Sequence, residues 1–296
     1  MLSVPLRGHL AMLAFSALVA GSFTLGARVA NLVDPAALTL LRFLLALVVT
    51  SLVLAVTRTD FRSALQNGWR WLLPGAIYAG YFVLMFEGLK TATPLSSAAV
   101  FTLSPILSAG FGWVLLRQRM TGRMGFALAI GAVGALWVIF RGEIAAALRL
   151  EIGRGEAIYF VGCLMHAALP ALMRRMSRGE PPMLATTMML LGGLVILTPW
   201  ALPKVLATDW AAMPGIVWAT LGYTAVCTTA ITAALMQYAS QRLPGAKVMA
   251  YTYLVPGWVI AWELAFKAEA PPGLVAGGVA ITVLALLLLL KDERVS

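Results

Sequence analysis

Ten stretches of this chain are each long and apolar enough to cross a bilayer, and together they leave room for little else. A spanning helix needs about 20 mostly apolar residues, because the hydrocarbon is ~30 Å thick and each residue rises ~1.5 Å. The stretches run 8–28, 35–57, 70–90, 94–116, 122–140, 155–174, 182–203, 213–238, 245–267 and 271–290. Inside hydrocarbon a segment must satisfy its own backbone hydrogen bonds, so the class expected is an all-α polytopic membrane protein. Charged residues make up 11% of the chain, against roughly 25% in soluble domains, which excludes a sizeable soluble domain.

A net charge of +10 invites a nucleic-acid reading, but the placement of the charges argues for lipid. With the N-terminus in the cytoplasm, inner loops hold 14 of the 22 basic residues, including Arg58, Arg117, Arg174 and Arg242. Outer loops and the span ends beside them hold seven, and Arg42 alone falls deep inside a span. Such an excess is the positive-inside pattern, which places both termini in the cytoplasm of a bacterial inner-membrane protein. The partners expected are the bilayer and a small-molecule substrate, not nucleic acid, and the chain is expected to be a monomer. Cys163 and Cys227 both fall within spans and read as small apolar residues rather than a disulfide.

The second half repeats the first. At an offset of 147, Gly8 aligns with Gly155, Arg28 with Arg175, Pro35 with Pro182 and Thr39 with Thr186. At an offset of 151, Ala99 aligns with Ala250, Pro105 with Pro256 and Gly122 with Gly273. The units are 1–141 and 154–296, with five segments each. An odd number makes the second unit enter from the opposite side, so the expectation is ten helices arranged as two inverted five-helix repeats. Inverted repeats characterise secondary transporters, in which one half rocks against the other around a midplane site. Pro105 and Pro256 stand mid-span at matching positions, where a missing N–H and a ring clash bend a helix, and they are the candidate hinges.

Local sequence points the same way. Ala20-Gly21-Ser22-Phe23-Thr24, Asp34-Pro35 and Leu41-Arg42-Phe43-Leu44-Leu45-Ala46 resemble the opening helices of the EamA family, in the drug/metabolite transporter superfamily. So do Pro94-Leu95-Ser96-Ser97-Ala98-Ala99, the following Pro105 and Leu116 to Thr121, with an echo from Gly245 through Pro256 to Glu269. The resemblance covers the whole chain and is greatest to the family's aromatic amino acid exporters. It implies an exporter of amino acids, aromatic ones included, and of related small metabolites, working by alternating access. The alternative within the superfamily is a drug or nucleotide-sugar carrier. Outside it, the alternatives are a membrane scaffold or an intramembrane enzyme. The chain departs from the family pattern at Ala20, where Trp is common, and at Arg117-Gln118 in place of a Gly-Glu pair. The first segment also lacks the carboxylate that carries protons in related four-helix exporters.

No catalytic constellation, phosphate-binding glycine loop or metal cluster is present, and His9 and His166 are the only histidines. No cofactor is therefore expected. Arg42 is the one charge deep within a span, and such a charge faces the protein interior or a wet cavity. Its expected role is an ion pair with Glu87 of the same repeat, with recognition of a substrate carboxylate as the second reading. Ser97, Phe101, Ser104 and Ser108 share one face of the fourth segment, and Thr220, Thr224, Thr228 and Ile231 one face of the eighth, beside Tyr223. Together with Phe23, Tyr78, Phe82 and Trp258, they could line an amphipathic pathway or support close helix packing. His166 is the proton-titratable group nearest the midplane. Trp69, Trp71, Trp200 and Trp210 read as interface anchors.

Overall fold

A computed structural model describes residues 4–59, 67–118, 121–140, 142–143, 152–176, 178–240 and 245–290. The described residues are helical throughout, joined by short turns. Helix α1 runs Val4–Val29 and α2 Pro35–Val56, the latter capped by Asp34, whose carboxylate accepts from the Ala36 and Ala37 N–H groups. A 3-10 turn, Gly68–Trp71, leads into α3, Leu72–Gly88. Then come α4 (Pro94–Phe101), α5 (Ser104–Leu116), α6 (Gly122–Ile139), α7 (Arg154–Met176) and α8 (Pro182–Ala207). Helices α9 (Gly215–Ala225) and α10 (Thr232–Ser240) are joined without a break by a π-helical segment, Val226–Ile231. Helices α11 (Gly245–Ala250) and α12 (Val255–Ala265) flank a 3-10 stretch at Tyr251–Leu254, and α13 spans Gly273–Leu290.

Among the described residues, eight helical stretches are long and apolar enough to cross a membrane. Two expected segments fall outside that group for local reasons. Residues 70–90 begin with the 3-10 turn, leaving α3 with 17 residues. Residues 245–267 are divided at Tyr251–Leu254.

Segments 94–116 and 245–267 each break just before a proline. Helix α4 ends at Phe101, and α5 restarts at Ser104 with Pro105 in its first turn, where a missing N–H costs nothing. Pro256 occupies the same position in α12. The Tyr253 carbonyl, freed by the second break, accepts from Thr282 Oγ1 of α13 at 3.0 Å. Proline alone does not force a break, since Pro170, Pro199 and Pro203 sit inside continuous helices.

Packing pairs helices from the two halves of the chain: α2 lies against α8, α6 against α13, α3 against α7, and α1 against α10 and α12. Small residues set the closest approaches, as close packing in lipid requires. A Cβ on Gly75 would stand 2.2 Å from the Gly193 nitrogen, so α3 and α8 meet backbone to backbone. A Cβ on Gly134 would stand 2.9 Å from the Gly278 carbonyl, where α6 meets α13. Leu52, Trp113, Phe126 and Leu274 face outward, as lipid contact demands. Trp69 and Trp200 are exposed, but Trp71 is not an interface anchor: it is buried against Leu184 and Met188. Cys163 is buried, Cys227 half-buried, and both are free.

Candidate functional site

A cavity of about 490 Å³ lies in the middle of the bundle, within the range of small-molecule sites. Arg42 from α2, Tyr78, Tyr81 and Phe82 from α3, Phe101 at the α4 break, His166 from α7 and Thr228 from the π segment form its floor. Met173, Arg174, Met236 and Met249 line it towards one end of the bundle, where Arg174 is exposed. That end carries the basic loops at Arg174–Arg175 and Arg178.

Arg42 is fully buried and governs the floor. Its Nε donates to Thr229 Oγ1 at 3.0 Å, and its Nη2 to Thr228 Oγ1 at 3.1 Å and the Thr228 carbonyl at 3.3 Å. The guanidinium lies over the Phe82 ring, 3.5 Å from its centroid. Nη1 has no partner, and Arg42 forms no ion pair among the described residues. A desolvated cation with neutral partners costs several kcal/mol that a nearby carboxylate would offset.

The expected pairing of Arg42 with Glu87 is therefore corrected. Glu87 stands one residue from the end of α3 and pairs with Lys90 at 2.7 Å. Helical rise carries Arg42 to the level of the cavity and leaves Glu87 at the end of the bundle. The π segment supplies the acceptors instead. A π turn shifts the helical phase and occurs often at functional sites. Here the Thr228 and Thr229 hydroxyls both donate to the Thr224 carbonyl, at 3.0 and 2.9 Å, which turns their lone pairs towards Arg42. The same shift removes Ile231 from the expected face and leaves it exposed.

Of the other residues singled out by sequence, Tyr78, Phe82, Phe101, His166 and Thr228 line the cavity. His166 packs against Tyr81 and Phe101, ring centroids 4.4 and 5.4 Å apart, and its enclosed Nδ1 has no partner. Phe23 lies behind the floor, fully buried and 5.8 Å from both Phe101 and Tyr159. Ser104 is buried at the α5 start, outside the lining. Tyr223, Thr224 and Trp258 also lie outside it. Tyr223 donates to the Leu18 carbonyl at 2.7 Å and Trp258 Nε1 to Ser16 Oγ at 3.1 Å, so both tie neighbouring helices to α1. Thr224 bonds within its own helix. Ser108 bonds the Ala167 carbonyl at 2.9 Å, a packing role.

Sequence reasoning passed over Tyr81, Thr229 and the four methionines Met173, Met189, Met236 and Met249. Tyr81 carried a signal, being three residues from Tyr78 and on the same face. Thr229 carried none, because only the π turn brings it round.

On the far side of the floor the bundle is sealed. The Tyr81 and Tyr159 hydroxyls meet at 3.1 Å. Beyond them Arg28 pairs with Glu263 at 3.1 Å, Ser96 donates to Glu156 at 2.6 Å, and Lys204 pairs with Asp34 at 3.1 Å. Burial pushes the Asp34 carboxyl up, but Lys204 and the Ala36 and Ala37 N–H groups hold it below the ordinary carboxylate value.

A central cavity open at one end and closed at the other suits a transporter, and the comparisons agree. The model of the EamA-like transporter family matches twice, over residues 6–140 and 153–291. The chain belongs to the EamA-like transporter family. A Bacillus subtilis (strain 168) protein named "Uncharacterized transporter YyaM" is 26% identical over 265 residues, covering 89% of this chain and 86% of that one. A solved structure titled "Crystal structure of protein" superposes with a TM-score of 0.68 over 99% of both chains at 19% identity, which speaks to the fold. This EamA member is thus a multi-pass membrane transporter of the drug/metabolite superfamily.

Proposed function

We propose that the protein is a secondary exporter of small metabolites that join an apolar or aromatic body to a carboxylate, amino acids and aromatic amino acids among them. The observation that carries this reading is Arg42, a buried guanidinium in an aromatic cavity with one nitrogen unpartnered. Nη1 can receive a carboxylate oxygen in a charge-assisted hydrogen bond, and the low-polarity surroundings strengthen it. Tyr78, Phe82 and Phe101 offer ring faces and edges to the body of the solute, and the methionines adapt to its shape.

Movement proceeds by alternating access in the bacterial inner membrane, with ten spans arranged as two inverted units, 1–141 and 154–296, and both termini cytoplasmic. The double family match, the two proline breaks and the cross-half helix pairs support that architecture. In this arrangement the open end faces the cytoplasm and the sealed end the outside, as an exporter awaiting substrate requires. Pro105 and Pro256 then act as the hinges, and a monomer suffices because the cavity lies within one chain.

The test is uptake into reconstituted vesicles, screened over amino acids and aromatic carboxylates with and without a pH gradient. We expect aromatic carboxylates to be transported by the parent, and Arg42→Gln to lose at least about tenfold in rate, as removal of a charged hydrogen bond worth roughly 1.5–3 kcal/mol predicts. Equal transport by parent and variant would overturn the reading.

A further inference from the structure

The distribution of acidic groups says more about the substrate than its carboxylate. The sequence has 12 Asp and Glu, and only Glu87, Glu156 and Glu263 fall within spans. Each stands close to a helix end and is engaged there, with Lys90, Ser96 and Arg28 respectively. None of the described residues lining the cavity is acidic, whereas Arg42 and Arg174 both contribute to its wall.

We infer that the cavity is a receptor for net anions, which binds an aromatic acid more tightly than the corresponding zwitterionic amino acid and rejects the amine. This rests on the carboxylate reading of Arg42 given above and narrows it. A carboxylate on Nη1 holds any α-ammonium group of the same molecule within a few ångströms of the guanidinium, and no anion among the described wall residues offsets that repulsion. The Ser22, Thr186 and Thr228 hydroxyls donate to the Val19, Pro182 and Thr224 carbonyls of their own helices, so they turn lone pairs, but no charge, to the cavity. A cation without a carboxylate gains nothing from Arg42 and loses its hydration. The aromatic faces do not compensate, since the Phe82 ring already carries the guanidinium. The wall also includes the weakly acidic hydroxyls of Tyr78 and Tyr81, which stay neutral beside Arg42 and add no negative charge near neutral pH.

The experiment measures equilibrium binding to the full-length protein in lipid nanodiscs, using three compounds of one shape: 3-phenylpropionate, phenylalanine and phenethylamine. We expect 3-phenylpropionate to bind at least about tenfold more tightly than phenylalanine, from like charges held several ångströms apart in a medium of low effective dielectric, and phenethylamine not to bind. Met189→Glu, which adds an acid to the lining, should weaken 3-phenylpropionate binding by a similar factor and bring phenethylamine binding into the measurable range, opposite changes that partial unfolding does not produce. Phenylalanine binding as tightly as 3-phenylpropionate, or measurable binding of phenethylamine to the parent, overturns the anion selectivity and leaves the carboxylate reading standing. Absence of binding by both carboxylates overturns the two together.

Discussion

The two ends of the central cavity are lined by different chemistry, and only one of them is closed. Behind the floor, Phe23 packs against the rings of Phe101 and Tyr159, the Tyr81 and Tyr159 hydroxyls meet, and three polar clasps join helices from opposite halves. Towards the other end the wall is methionine with an exposed Arg174. Aromatic rings held by ion pairs have a definite geometry, while methionine fills space without fixing it. Stability is therefore concentrated in the sealed end, whose elements must separate for the cavity to open there. A ligand can drive that change only by binding one facing state better than the other.

The largest expected effect comes from emptying the seal. Phe23→Ala should cost about 3–5 kcal/mol, because the ring is fully buried and its neighbours close only part of the gap. With Cys227 replaced by Ala, the buried Cys163 serves as reporter. A thiol reagent that is excluded in the parent should reach it in Phe23→Ala, and continued protection would show that the seal lies elsewhere.

Next in size are the prolines. Alanine at either break restores a backbone donor and removes a ring clash worth about 3 kcal/mol in a regular helix. Pro105→Ala and Pro256→Ala should each slow transport with folded yield near the parent's, and should bias labelling towards opposite ends. The same labelling in both variants and the parent would make the breaks passive.

A smaller shift is expected from Glu263→Gln. The Arg28–Glu263 pair is partly exposed, at 28% and 22%, so its contribution is at most about 1 kcal/mol. Arg28 also keeps its bond to the Thr24 carbonyl and its place over Phe266. Labelling at the sealed end should therefore rise by less than about fivefold.

The smallest effect is that of pH on the Asp34–Lys204 clasp. Because the folded value of Asp34 lies below its ordinary one, its contribution is complete above about pH 4 and is lost as pH falls through the lowered value. Lys204→Met should thus lower thermal stability slightly near pH 7, and the difference from the parent should vanish in acid. A difference that grew in acid would reverse the assignment.

Much of this was legible in the sequence, and what was not has identifiable causes. The apolar segments, the cross-half proline pair and the midplane aromatics follow from composition and period, and six of the sequence-selected residues, Arg42 included, line the cavity. Partner choice was not legible. Glu87 is the one acid within a span of the same repeat, yet Arg42 reaches the second half of the chain, to Thr228 and Thr229. A 3.6-residue period cannot register the π turn at Val226–Ile231, so Thr229 and Ile231 exchange the places that regular helix gives them. Tyr223 and Trp258 sit at the right depth but turn towards α1, a matter of tertiary packing rather than pattern.

The central claim is that the free nitrogen of Arg42 receives the substrate carboxylate. Its most direct test compares two ligands differing only there, 3-phenylpropionate and 3-phenylpropanamide, by binding to the parent and to Arg42→Lys. The parent should prefer the acid by at least about tenfold, and Arg42→Lys should keep the charge but lose most of the preference, since the planar fork is gone. Equal affinity of the parent for the acid and the amide would contradict it.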